Sequence, residues 1–384
     1  MDTPGPPSEQ TTGTGTPDDA DAGPEPFRSA HTPGFPQLLD ELGVSLLVTT
    51  YQAGRLVIVR PEGDRLNTHF RSFPSPMGLA LDPSAARLAI GTSLQIWEFR
   101  DVPDVASRLE PKGSHDACFL PRSAHVTGNV AIHEMAYGRG NELWFVNTRF
   151  SCLATIDPSA SFAPRWRPPF ISKLEPSNRC HLNGMAMHGG LPRYVTALGT
   201  ADEPAGWRKE KARGGVLMEV ESGEVVASGL SMPHSPRIHA GRLWACESGA
   251  GTLGVVDPAT GRYEPVAAAP GFTRGLDFAG RFAFVGLSQV RESAVFSGIP
   301  ITERLAERDR TCGVAVVDIV TGSVVGLLRF DGAVQEIFAV AVLPRRFPEL
   351  VNEDEALLAD SFVVPAESLP DVAESVRARP AIPA

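Results

Sequence analysis

The sequence predicts an all-β fold, a single β-propeller of six four-stranded blades, with seven the alternative. Three observations carry this. The 384 residues include 37 glycines and 34 prolines, a turn-rich composition that favours short strands over long helices. Related hairpin patterns recur every 40 to 60 residues, the mark of a radial array. Finally, a strand-like segment is left over near the C-terminus while one is missing near the N-terminus.

Taken in order, SLLVTTYQAGRLVIVRPEGDRLNTHFRSF (45–73) offers three strands but no inner one. SPMGLALDPSAARLAIGTS (75–93), IHEMAYGRGNELWFVNTR (132–149), HLNGMAMHGGLPRYVTALG (181–199), HSPRIHAGRLWACESG (234–249) and TRGLDFAGRFAFVGLS (273–288) each read as an alternating strand, a tight turn and a second strand. A second hairpin follows most of them, marked by Asp-Pro or Thr-Gly: TIDPSASF (155–162), VVDPATGRYEPV (255–266) and VVDIVTGSVVGLL (316–328). Two hairpins make one blade. QEIFAVAVLP (335–344) supplies the missing inner strand, so N-terminal and C-terminal strands pair and close the ring. The seven-blade alternative arises if 94–131 holds a further short sheet.

The body spans 35–363. Residues 1–34, rich in Pro, Gly, Thr and Asp, lack the apolar side chains to offset ordering and are expected to be a disordered acidic tail; 364–384 form a C-terminal tail. The net charge of −10 disfavours nucleic acid as a partner, because phosphate neutralisation needs a basic face. No apolar run approaches the ~18 residues of a membrane helix, and the acidic N-terminus carries no signal-peptide pattern. The expected location is therefore cytoplasmic, without membrane association. Five scattered cysteines form no CxxC pair and read as isolated buried thiols.

Function should gather on the face carrying the long connections: TTYQAG (49–54), NTRFS (147–151), TADEPAGWRKEKARGG (200–215), ESGAG (247–251) and 288–312. Polar residues recur there where inner strands begin: His133 and Glu134, His181 and Asn183, His234 and Ser235, Arg274, Glu336. Three histidines at equivalent blade positions can converge on the axis. With Glu336 as a fourth ligand they form a set suited to Fe, Zn, Cu or Mn. Glu134, Glu336 and Arg274 are the candidate catalytic groups. Arg149, Asn183, Trp207, Arg208 and Arg291 are candidates for holding an anionic substrate. No GxSxG elbow, P-loop or dinucleotide fingerprint is present.

The blocks VAIHEMAYG, LWFVNTRFSCLATID, RCHLNGMAM, GWRKEKARGG, MPHSPR, PGFTRGLDF and FVGLSQVRES resemble a bacterial family of conserved proteins of unassigned function, sometimes attached to tetratricopeptide repeats. The resemblance covers nearly all of 36–363. It implies a six-bladed propeller and places His133, Glu134, His181, Asn183, Trp207, Arg208, His234, Arg274, Arg291 and Glu336 in family motifs. This chain departs from it in lacking attached repeats and in its acidic tail.

The leading expectation is a metal-dependent enzyme acting on an anionic small molecule or modified peptide at the axial mouth. The alternatives are a non-catalytic propeller binding a protein or peptide partner, and a metal-free His/Glu acid–base lyase or isomerase.

Overall fold

The computed structural model describes residues 27–289 and 298–374. Six sheets ring a central axis, each with four strands in antiparallel order from the inside outwards. Blade I contains Ser45–Thr50, Arg55–Glu62 and Arg65–Ser72, and takes Ala339–Leu343 as its inner strand; Ser45 pairs with Leu343 and Thr49 with Ala339. The closure expected from the leftover segment is thus present.

Blade II comprises Leu79–Leu81, Arg87–Gly91, Gln95–Asp101 and Ala117–Val126. The stretch 94–131 therefore holds no separate seventh sheet. It supplies the two outer strands of blade II, joined by a long loop with the short helix Pro103–Ala106. Blade III is Ile132–Tyr137, Leu143–Asn147, Cys152–Asp157 and Ala160–Trp166. Blade IV is Leu182–His188, Leu191–Ala197, Gly215–Glu219 and Val225–Leu230. Blade V is Pro233–His239, Arg242–Glu247, Thr252–Asp257 and Arg262–Ala268. Blade VI is Phe272–Ala279, Phe282–Ser288, Gly313–Asp318 and Ser323–Gly332.

Two outer edges gain a fifth strand. Phe27–His31, inside the stretch expected to be disordered, pairs antiparallel with the outer strand of blade VI. The Phe27 ring packs 4.8 Å from Phe70, burial that an average over the tail's composition conceals. On blade II, Pro348–Leu350 pairs parallel with Ala117–Phe119.

Middle strands are covered on both faces by neighbouring blades and carry near-continuous apolar runs. Gly313–Asp318 is buried throughout, whereas the outer strand Arg262–Ala268 is largely exposed. Between blades the core is aliphatic and aromatic, with Phe35, Leu46, Phe284 and Phe330 in one cluster and Leu56, Ile58, Leu88 and Phe99 in the next. Each such side chain contributes about 1.5–3 kcal/mol on burial. Hydroxyls near the ends of second strands also tie one blade to the next. Thr49 donates to the Met77 carbonyl (2.6 Å), Ser288 to that of Ile337 (3.1 Å), and Ser248 to that of Thr273. The site-bearing ends of the inner strands are thus fixed at several points around the ring.

Candidate functional site

The inner strands are not regular where they begin. Pairing with the second strand slips between Leu182 and Gly184, between His234 and Arg237, and between Thr273 and Leu276. Bulges of this kind re-aim side chains. The backbone is also left-handed at Ala131, Asn178, His181, Met232 and Ser235, none of them glycine, with φ between 48° and 52°. Such conformations cost about 1–3 kcal/mol each and persist where the surroundings dictate them. Here they cluster around the axis and turn polar side chains inward.

The three predicted histidines do converge. The His133 and His181 rings lie 5.0 Å apart, edge to face, and His133 and His234 are 7% and 4% exposed. His133 donates Nδ1–H to the Ala131 carbonyl (2.9 Å). His234 donates Nδ1–H to the Met232 carbonyl (2.9 Å), with Ser248 Oγ at 3.0 Å. Those bonds fix the tautomer and leave Nε2 of both rings with an unshared lone pair. His181 differs: both the amide nitrogen and the oxygen of Asn178 lie near its Nδ1, at 3.0 and 3.2 Å, so either tautomer is served.

Arg274 stands among these rings, its guanidinium 3.6 Å from the centroid of Phe338. Among the described residues no carboxylate pairs with it. Burial lowers its pKa to about 9, partly offset by the charge of Glu134. It stays protonated at neutral pH. Burial, then Arg274, then Arg208 bring His181 down to about 3. Burial followed by Arg274 and neighbouring imidazoles holds His133 and His234 well below the ordinary range. The result is one guanidinium cation beside three neutral imidazoles. His133, His234, Ser235, Arg274 and Phe338 line a constriction with about 10 Å³ of free volume, about the room of one water.

Other candidates are placed differently. Glu134 is committed to Arg237 of blade V (Oε1 to Nη2, 2.6 Å), and Glu336 accepts the hydroxyl of Tyr51, with burial pushing its own pKa up. Each carboxylate is thus already engaged by a neighbouring side chain. The Asn183 amide donates to the Pro233 carbonyl (3.0 Å) and accepts from Thr196 (2.7 Å), which makes it a strut between blades IV and V. Trp207, 4% exposed, packs its ring 4.6 Å from His181, and the Arg208 guanidinium lies over the same indole at 4.9 Å. Arg149 is exposed and donates to the Asn129 carbonyl. Arg291 lies outside the described residues. Sequence reading missed Tyr51 and Phe338; Arg237 stood there as one of two possible ion-pair partners of Glu134, and the structure gives that pair. Phe338 is the hub: His133 meets its ring at 4.9 Å, Tyr51 at 5.5 Å and Arg274 at its face. Tyr51 had a signal, an aromatic in a loop on the long-connection face.

As a metal centre the cluster fits in part. Nδ1 anchored on a backbone carbonyl is the outer-shell pattern of ligating histidine. Among the described residues, however, no group of three or more His, Cys, Asp or Glu side chains is arranged to hold an ion.

Residues 33–351 match the family described as Domain of unknown function (DUF4915). The chain belongs to that family. Family membership thus covers all six blades and every histidine of the axial cluster. No curated protein matches the chain. Among solved structures it is similar to a nidogen/laminin complex (TM-score 0.51, 10% identity, 78% of this chain and 98% of that one). It is also similar to a protein of unknown function from Bacteroides caccae (0.49, 9%, 78% and 98%) and to a catalytically inactive virginiamycin B lyase from Staphylococcus aureus with quinupristin (0.37, 13%, 63% and 76%). At these identities the likeness concerns the fold alone.

Proposed function

We propose that the axial mouth is an acid–base active site of lyase or isomerase type, at which an anionic small molecule bound outside the constriction places one carboxylate oxygen in its water-sized space beside Arg274. The observation that carries this is Arg274, a recessed guanidinium without a carboxylate partner among the described residues, set beside imidazoles whose Nε2 atoms carry lone pairs. The guanidinium takes a carboxylate or related oxyanion through charge-assisted bonds. A neighbouring Nε2 takes a proton from the carbon next to that group, the electron pair moves into the group held by Arg274, and the imidazolium returns the proton to substrate or leaving group. No oxidant or reductant is needed.

The depressed basicity of the imidazoles fits this scheme. Arg274 contributes to holding His181 at about 3, so an anion bound on Arg274 cancels part of that charge and restores basicity when substrate is present. His181, with Asn178 serving either tautomer, is the ring best placed to give and receive a proton.

Calorimetric titration with malonate tests the anchor. Wild-type protein should bind it with proton uptake at pH 6, and Arg274→Gln should lose both. Equal malonate affinity in the variant would remove Arg274 from this role.

A second reading, a transition metal ion on the three imidazoles, is favoured by the Nδ1 anchoring of His133 and His234. Such an ion would act as a Lewis acid toward the anion. Elemental analysis of wild type against a triple His133→Ala, His181→Ala, His234→Ala variant separates the two. A near-stoichiometric metal that disappears in the variant selects the metal reading.

A further inference from the structure

The axial channel continues beyond the histidines. In each inner strand the residues of the mouth come first, and those that follow run toward the opposite face of the propeller. There a cavity of about 240 Å³ is walled by the inner strands of all six blades, against about 10 Å³ in the constriction above it. Glu134 lines both spaces, and its ion pair with Arg237 stands between them. One half-buried lining residue comes from each blade: Val342, Leu81, Ala136, Met187, Ile238 and Asp277, in blade order. Solvent reaches all six, so the chamber opens on the face opposite the mouth. Five are apolar and one is an acid.

The charges of the chamber do not cancel. Glu134 and Arg237 neutralise each other at 2.6 Å. Asp277 has no ion-pair partner among the described residues. Its Oδ2 accepts the Val342 N–H (2.8 Å) and its Oδ1 the N–H of Phe278 (2.9 Å), which leaves acceptor capacity on both oxygens. Burial raises the pKa of this carboxyl against the pull of Arg237, and a cation beside it favours the ionised form. Each inner strand is paired on one side only, so its free edge adds backbone acceptors; the carbonyls of Met185 and Pro236 already take N–H groups from Arg237 (3.4 and 2.9 Å).

One uncompensated carboxylate and strand-edge carbonyls select a cation. A multivalent metal ion finds too few anionic ligands, because among the described residues no three His, Cys, Asp or Glu side chains converge. The apolar lining favours a cation that carries hydrocarbon, and the volume, just under that of drug-sized pockets, favours a small one. We propose that this chamber binds a small primary alkylammonium ion, its N–H donors on Asp277 and neighbouring carbonyls and its hydrocarbon against the apolar lining. The site is separate from Arg274 and the histidines and does not rest on the acid–base reading.

The test is calorimetric titration of the full chain at pH 7.5 with n-butylammonium chloride, n-butanol and methylammonium chloride. Butylammonium should bind in the millimolar range or tighter. Butanol should bind at least about tenfold more weakly, the scale of a hydrogen bond to a charged group, and methylammonium likewise for its missing methylenes. Asp277→Asn should weaken butylammonium by about tenfold, whereas Arg274→Gln should not weaken it, so failure of the axial reading leaves this result standing. In wild type carrying isotope-labelled methionine methyls, butylammonium should shift Met187, with Met135 and Met185 beside it in the lining, and leave Met218 and Met232 in place. If Asp277→Asn does not fold, the probe series and the methyl shifts on wild type decide. The proposal is overturned if butylammonium shows no millimolar binding, if butanol binds as well, if folded Asp277→Asn binds like wild type, or if the shifts fall only outside the chamber.

Discussion

Arg237 reaches across the propeller axis to Glu134, 103 residues earlier in the chain, and the two side chains meet at 2.6 Å. The pair joins blade V to blade III beneath the histidines. Its formation means that Glu134, placed beside His133 by the sequence, is already engaged.

Breaking that pair from one side strands a recessed charge. Glu134→Gln should lower unfolding stability by about 3–5 kcal/mol, whereas Glu134→Leu combined with Arg237→Met should recover much of the loss. Urea denaturation of the three proteins measures both; a near-neutral single variant would refute the coupling.

Acid should destabilise the fold earlier than carboxylate titration alone would. His69, His115, His133, His181 and His234 all have folded-state pKa values below 6.5. The unfolded chain thus binds protons first, so stability is complete above pH 6.5 and declines as pH falls toward the folded-state values. With His181 at about 3, that residue alone accounts for about 2 kcal/mol lost at pH 5. Urea midpoints at pH 7.5, 6 and 5 should show the decline, and His181→Asn, which tolerates left-handed backbone, should flatten it.

All five cysteines are free and buried, and burial pushes Cys118, Cys152, Cys246 and Cys312 up to about 12 and Cys180 to about 11. Native protein at pH 8 should resist a thiol-labelling disulfide reagent over minutes, while guanidinium-unfolded protein should release five equivalents. Rapid native labelling of any one would identify an opening of its blade.

Glu349 lies among Arg71 (2.9 Å), His69 (3.4 Å), Arg60 (3.5 Å) and His115 (3.9 Å), and so fastens the strand Pro348–Leu350 to blades I and II. Glu349→Gln should speed amide exchange at 348–350 and at 117–119 far more than in blade V. Uniform exchange across the molecule would show that the strand is held by its backbone alone.

The blade pattern was legible because hairpins are local: an alternating strand, a turn and a second strand fall within about 20 residues. Blade II blurred the count because Gln95 pairs with Val126 across a long connection containing a helix. The three histidines were legible for the same local reason, each standing where an inner strand begins. Partner identity was not. Tyr51 meets Glu336 across 285 residues, and nothing near either residue announces the other. Phe338 lay unremarked in the leftover inner-strand segment, and only the ring closure brings it beneath Arg274.

That closure also sets an order on the protein's own making. Ser45 emerges from the ribosome some 300 residues before its partner Leu343, so blade I waits as three strands with an unpaired inner edge while five blades are assembled. Until that last strand arrives, the edge is open to any other extended chain nearby. Translation that stalls short of residue 339 should leave an aggregation-prone arc rather than a smaller propeller, which makes this five-residue strand the step that ends the nascent chain's exposure.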